Sequence, residues 1–303
     1  MNRVIKVSDE TKEKMIKYYE KYKRNKEIPY VVFQAEQNGT VITMYTSGKI
    51  MFQGITADVD SAMWMELDGQ HPEEEQIKEI KNKYYNVSAV GSDEVGTGDY
   101  FGPIVVTSTY VPKDMVKKIE ELGITDSKKM TDDYILKVAP KISKMIKYRT
   151  LILNNKEYNE RYSKSINMNK IKAIMHNKVL YELMNEEHPK VDYIIVDEFA
   201  KEKRYYEYIE DTPFIQRNIT FMPRAEQANL AVASASVISR YIFLKEFDKL
   251  SDSLHIPLPK GAGPQVDEIG KEIVEKYGED KLKEVAKMNF LNTDRILNKT
   301  VIM

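Results

Sequence analysis

Polar and apolar positions alternate with two different periods along this chain, and each change of period marks an element. From Ser8 the pattern is helical. Ser8 can cap the helix, Asp9 and Glu10 occupy the first turn where the positive helix end favours acids, and Met15, Ile16, Tyr18, Tyr19 and Tyr22 supply one apolar stripe. A helix to about Asn25 is predicted. Beyond Pro29 the period shortens to two, with β-rich runs at residues 30–36, 40–45 and 49–53 separated by Asn38-Gly39 and Ser47-Gly48. Those dipeptides are hairpin signals, so the runs predict an antiparallel meander. A helical stretch at about 57–67 closes a small αβββα domain over residues 1–68.

Asp68-Gly69-Gln70-His71-Pro72, followed by Glu73, Glu74 and Glu75, combines a turn signal with an acidic run and predicts a linker over residues 69–86. A second domain is expected over residues 87–303. Its predicted strands are 88–93, 104–111, 148–153 and 193–197, with a helix between the last two that presents Ile171, Ile174, Met175, Val179, Leu183 and Met184 on one face. Residues 193–196 are all apolar, which suits a central, parallel-paired strand covered on both faces. The fold class is therefore α/β with a mixed central sheet flanked by helices. A long helix at 224–247 contains Ala228, Ala231, Ala233, Ser234, Ala235 and Ser236, small enough to lie close against that sheet.

Composition narrows the function. The 303 residues are 42% hydrophobic and 31% charged, with no run of the roughly 18 apolar residues that a membrane span needs. The N-terminus runs into charge and not into a signal-peptide core, so a cytoplasmic location is expected. The absence of cysteine removes disulfides, thiolate zinc sites and cysteine nucleophiles. His71, His176, His188 and His255 are scattered and read as ordinary surface or packing residues. Net charge is −1, yet between Lys12 and Lys26 seven cations face two acids. Such a local basic element can bind phosphates, or simply be a solvated helix face.

The candidate chemistry lies at Gly91-Ser92-Asp93-Glu94-Val95-Gly96-Thr97-Gly98-Asp99-Tyr100-Phe101-Gly102-Pro103. Two adjacent carboxylates stand beside a glycine-rich turn. Carboxylate oxygens suit Mg²⁺ or Mn²⁺, and glycines let a substrate approach main-chain N–H groups. Asp197 ends another strand, and Glu226 is expected in the first turn of the long helix, where the dipole keeps it ionised. Residues 93 and 94 point to opposite faces of a regular strand, so a shared site requires the strand to end or twist there. Gly96-Thr97-Gly98 is not a dinucleotide loop, because strand and not helix follows it. Thr46-Ser47-Gly48-Lys49 lacks the spacing of a P-loop. No nucleotide cofactor is expected.

These motifs, with Asp126-Ser127-Lys128-Lys129, Ile195-Val196-Asp197, Arg224-Ala225-Glu226, residues 231–240 and Pro259-Lys260-Gly261-Ala262-Gly263-Pro264, resemble the type 2 ribonucleases H across essentially the whole chain. The resemblance is to their bacterial HIII group, since Glu226 replaces the Asp usual in the HII group and Gly96-Thr97-Gly98 replaces a Gly-Arg-Gly turn. It implies a ribonuclease H-like catalytic domain and an N-terminal domain similar to half of the TATA-box-binding protein. It further implies endonucleolytic hydrolysis of the RNA strand of RNA–DNA hybrids, leaving 5′-phosphate and 3′-hydroxyl ends. Asp93, Glu94, Asp197 and Glu226 would hold two Mg²⁺ or Mn²⁺ ions. Gly96, Thr97 and Gly98 would recognise the ribose 2′-OH, Ser127 and Lys128 would contact phosphate, and the enzyme is expected to act as a monomer. The alternatives are an HII-like enzyme cutting at single embedded ribonucleotides and a non-catalytic hybrid-binding protein.

Overall fold

The structure is a computed structural model that describes residues 2–24, 28–69, 79–124 and 130–297. The chain divides into two compact units, Met1–Gln76 and Ile77–Met303. Among the described residues no helix is long and apolar enough to cross a membrane.

In the N-terminal unit, β1 (Asn2–Ile5), β2 (Val31–Gln37), β3 (Thr40–Tyr45) and β4 (Ile50–Gly54) form an antiparallel sheet in the order β1-β4-β3-β2. Helices α1 (Asp9–Tyr19) and α2 (Ala57–Leu67) share a core with one face of it. Ser8 caps α1 by accepting from Thr11 N at 3.2 Å. The helix ends well before residue 25, passing into a single 3₁₀ turn at Glu20–Tyr22. Tertiary contacts end it: Tyr19 is buried and accepts from Trp64 Nε1 at 3.0 Å, and Lys23 bridges to Ala35 on β2. Alternation along the strands buries Phe33, Ala35, Ile42, Ile50 and Phe52, and leaves Val32 and Glu36 exposed on the other face. Strand β1 was not foreseen; four residues with one buried apolar position carry no readable period.

In the C-terminal unit, β5 (Ala89–Val95), β6 (Ile104–Val111), β7 (Lys147–Leu153), β8 (Tyr193–Asp197) and β9 (Ile219–Met222) form a sheet in the order β7-β6-β5-β8-β9. β5, β6 and β7 pair antiparallel, while β5, β8 and β9 pair parallel, so the sheet is mixed as expected. Helices flank both faces. α3 (Asp132–Met145), α5 (Ala225–Ala228) and α6 (Leu230–Leu254) share the larger core with Ala89, Val105 and Ile195, whereas α4 (Met168–Glu187) packs with Val90, Val106 and Val196. Strand β9 escaped the sequence reading because it too is only four residues long.

The long helix starts later than its small-residue pattern suggests. Asn229 is extended, with φ −143° and ψ 131°, and its side chain caps Ala231 N at 2.8 Å and Val232 N at 3.4 Å, which separates α5 from α6. α6 lies so close to β5 that a Cβ on Gly91 would stand 2.4 Å from Val232 N. Only glycine fits there.

Candidate active site

Strand β5 remains regular through both of its acids. Asp93 pairs with Thr107 and Glu94 with Val106, so the strand does not end between them; the two carboxylates take their partners from opposite faces of the sheet yet stay close enough for Glu94 to oppose ionisation of Asp93. On the α6 side, the Ser236 hydroxyl bonds the Asp93 carboxylate, and Ser239 Oγ donates to the Asp93 carbonyl at 3.2 Å. On the α4 side, Glu94 Oε1 meets Lys172 Nζ at 2.5 Å and Oε2 meets His176 Nε2 at 2.9 Å. His176 is fully buried and its Nδ1 lies 2.7 Å from Ser92 Oγ. Phe199 stacks on the imidazole with centroids 5.3 Å apart and lies 4.1 Å from Lys172 Nζ.

The parallel strands bring the next acid alongside. β5 and β8 pair from Ala89 with Tyr193 to Ser92 with Val196, then pair no further, so Asp93 and Asp197 follow the last pair on neighbouring strands. This is the carboxyl end of a parallel pair, where α/β sheets gather ligands. Asp197 pairs with Met222 of β9, and its Oδ1 accepts from Ala225 N at 3.2 Å. Arg224, left-handed at φ 53°, turns the chain from β9 into α5 and brings Glu226 close enough to oppose ionisation of Asp93.

Electrostatics separate the two adjacent acids. Burial, then Glu94 and more weakly Glu226, push Asp93 well above the usual carboxylate range despite the Ser236 bond. Burial alone would raise Glu94 too, but His176 and Lys172 outweigh it and hold the carboxyl well below its ordinary value. Among the described residues no three carboxylate or imidazole side chains are gathered closely enough to hold an ion in this arrangement. The donor set nevertheless fits Mg²⁺ or Mn²⁺. It consists of carboxylate oxygens, and a cation would stabilise the Asp93 charge that burial and its neighbours disfavour.

The glycine turn has one structural and one open member. Gly96 is buried at φ 96°, and a Cβ there would stand 2.1 Å from Pro103 O. Thr97 is half-buried and Gly98 exposed. The following loop is tied down by the C-terminal segment. Asp99 Oδ1 accepts from Gly261 N at 2.6 Å, Tyr100 N donates to Gly261 O at 2.8 Å, and buried Lys287 donates to the carbonyls of Asp99 at 2.7 Å and Gly102 at 2.6 Å. Ser127 and Lys128 lie outside the described residues.

Lys172, His176 and Lys287 were missed by sequence reasoning. For the first two a signal existed: two basic-type residues at i and i+4 on a helix between apolar Ile171, Ala173 and Met175. Lys287 has no such periodic context.

A family model described as Ribonuclease HII matches residues 90–293, and another, described as a domain of unknown function, matches residues 2–77. The chain is 38% identical to Ribonuclease HIII of Listeria monocytogenes serotype 4b, with 98% of each chain covered. It is also 38% identical to Ribonuclease HIII of Bacillus cereus, with 88% of each covered. Among solved structures, the crystal structure of Bst-RNase HIII in complex with Mn²⁺ superimposes with a TM-score of 0.71 at 35% identity, covering 98% of both chains. That of Aquifex aeolicus RNase H3 gives 0.55 at 25% identity, covering 95% of this chain and 99% of the other.

Proposed function

The chain belongs to the ribonuclease HII family, on its HIII branch, and from that premise we propose that it hydrolyses the RNA strand of RNA–DNA hybrids at the Asp93, Glu94, Asp197 and Glu226 site. It is a metal-dependent ribonuclease of the ribonuclease H type. The observation that carries the site is the parting of β5 from β8 immediately after Ser92 and Val196, which sets Asp93 and Asp197 side by side where the two strands separate, with Glu226 acting on Asp93.

Those four acids would hold two divalent cations, Mg²⁺ or Mn²⁺. Such ions, when bound, would supply a lowered pKa for an attacking water and positive charge near a departing 3′ oxygen, which is consistent with 5′-phosphate and 3′-hydroxyl products. The chain's own groups do the positioning. Ser236 and Ser239 hold Asp93 from its side chain and its backbone, and Ala225 N holds Asp197. The main chain of Gly96, Thr97 and Gly98 would read the 2′-OH that distinguishes RNA from DNA, with the loop behind it held by Gly261 and Lys287. Ser127 and Lys128 would contact phosphate. The N-terminal unit would act as a tethered second binding site for the hybrid.

Asp197→Asn should lower kcat/KM for a labelled hybrid with Mg²⁺ by about a thousandfold or more, equivalent to ~4 kcal/mol of barrier. Cleavage close to wild type would remove Asp197 from the site.

A further inference from the structure

Both oxygens of Glu94 are committed to cationic-type partners, and the two partners differ. His176 cannot easily leave. It is fully buried, bonded at Nδ1 to Ser92 and at Nε2 to Glu94, and stacked on Phe199. Lys172 is 8% exposed and reaches Glu94 Oε1 with an ammonium on a flexible four-carbon stem. The aromatic face of Phe199 lies 4.1 Å from that ammonium, and Phe199 N donates to Asp197 O at 2.9 Å. The lysine, its ring platform and Glu94 thus form one contiguous group, joined to the Asp197 main chain.

We propose that Lys172 is an internal stand-in for the active-site cation: its ammonium holds Glu94 Oε1 until a divalent ion binds, and ion binding displaces it. This rests on the reading of Glu94 as a metal-binding acid. A largely buried carboxylate next to Asp93 needs a counter-charge before any ion arrives, because such a carboxylate without a partner is costly. Lys172 supplies that charge. A divalent ion at the same oxygen would repel the ammonium strongly in so dry a place, so the two cannot share it. His176 stays on Oε2 and keeps the carboxylate oriented through the exchange.

Two measurements without substrate test this. In the wild-type protein, the ¹³Cε–¹Hε resonance of Lys172, assigned with Lys172→Arg, should move on Mg²⁺ titration in step with the bound fraction. In Lys172→Met, Mn²⁺ affinity read by electron paramagnetic resonance should be about tenfold tighter than in wild type, because ~1.4 kcal/mol of competition is gone. A merely structural lysine predicts the opposite, weaker or unchanged affinity in a destabilised protein. If Mg²⁺ and Mn²⁺ bind but the Lys172 resonance does not move, or Lys172→Met binds Mn²⁺ no tighter, the stand-in is overturned and the metal site survives. If neither ion binds wild type, the metal-site reading falls and the stand-in with it.

Discussion

Among the described residues the N-terminal unit buries only small hydroxyl side chains as its polar groups, Thr11, Thr40, Thr43 and Ser61, whereas the C-terminal unit buries hydroxyls together with Lys172, His176, Lys287, Asn229 and Asn292. Exposure runs the other way. Tyr30, Val32 and Ile55 of the N-terminal unit are 79%, 61% and 88% exposed. Its α1 carries its charge in local exposed pairs such as Lys12 with Asp9 and Lys14 with Glu10. Burying charged and amide groups is costly unless each is matched by a partner, so a unit that does it repeatedly holds groups in defined places. A unit that keeps apolar and charged residues outside offers a surface. If the N-terminal unit is the hybrid-binding site proposed above, the difference teaches that positioning for chemistry and capacity for binding are built separately here.

The sharpest way to break that contrast is a packing change on each side. Gly91→Ala forces a methyl against α6 and should cost about 3 kcal/mol in denaturant unfolding, whereas Ile55→Ser should change stability by no more than ~0.5 kcal/mol. Equal effects would mean that the C-terminal unit is no more tightly specified. Deleting residues 1–76 should raise KM for hybrid about tenfold while kcat changes less than about threefold. Lost turnover at constant KM would place part of the chemistry in the N-terminal unit.

Lys287 allows a pH test. Burial holds it down to about 7 from its ordinary 10.5, with Asp99 acting weakly the other way. Between those values the unfolded chain binds the extra proton, so folding stability gains from rising pH by about 1 kcal/mol per unit just above pH 7. Lys287→Met lacks that gain, and guanidinium midpoints at pH 7 and 8 for the two proteins check it. Parallel pH dependence would show that Lys287 is not the buried titrating group. The smallest effect is expected on α1 and the turn after it. Lys17→Ala combined with Lys21→Ala should flatten the salt dependence of hybrid binding by about one to two units of slope. An unchanged slope removes this basic stretch from the binding surface.

Much of the fold was legible because its signals are local. Ser8 marks the start of α1, the Asn38-Gly39 turn and the period-two runs mark β2, β3 and β4, and the apolar run before Asp197 marks a parallel central strand. β1 and β9 were not legible, since four residues are too few to show a period and pairing partners alone define them. The candidate acids could be named from position along the chain, but not the partners that set their charge. Lys172 and His176 lie 78 and 82 residues beyond Glu94, and no local rule links them.

The sequence by itself determined most of the helices and strands, the hairpin turns, and which acids lie close to strand ends, because those properties depend on neighbours within a few positions. Only the tertiary structure decided that Asp93 and Glu94 face opposite sides of an unbroken strand, that Asn229 ends one helix and starts another, and that a lysine and a histidine from α4 hold Glu94. Those outcomes depend on which surfaces meet in space, and on the cost of leaving a buried charge without a partner.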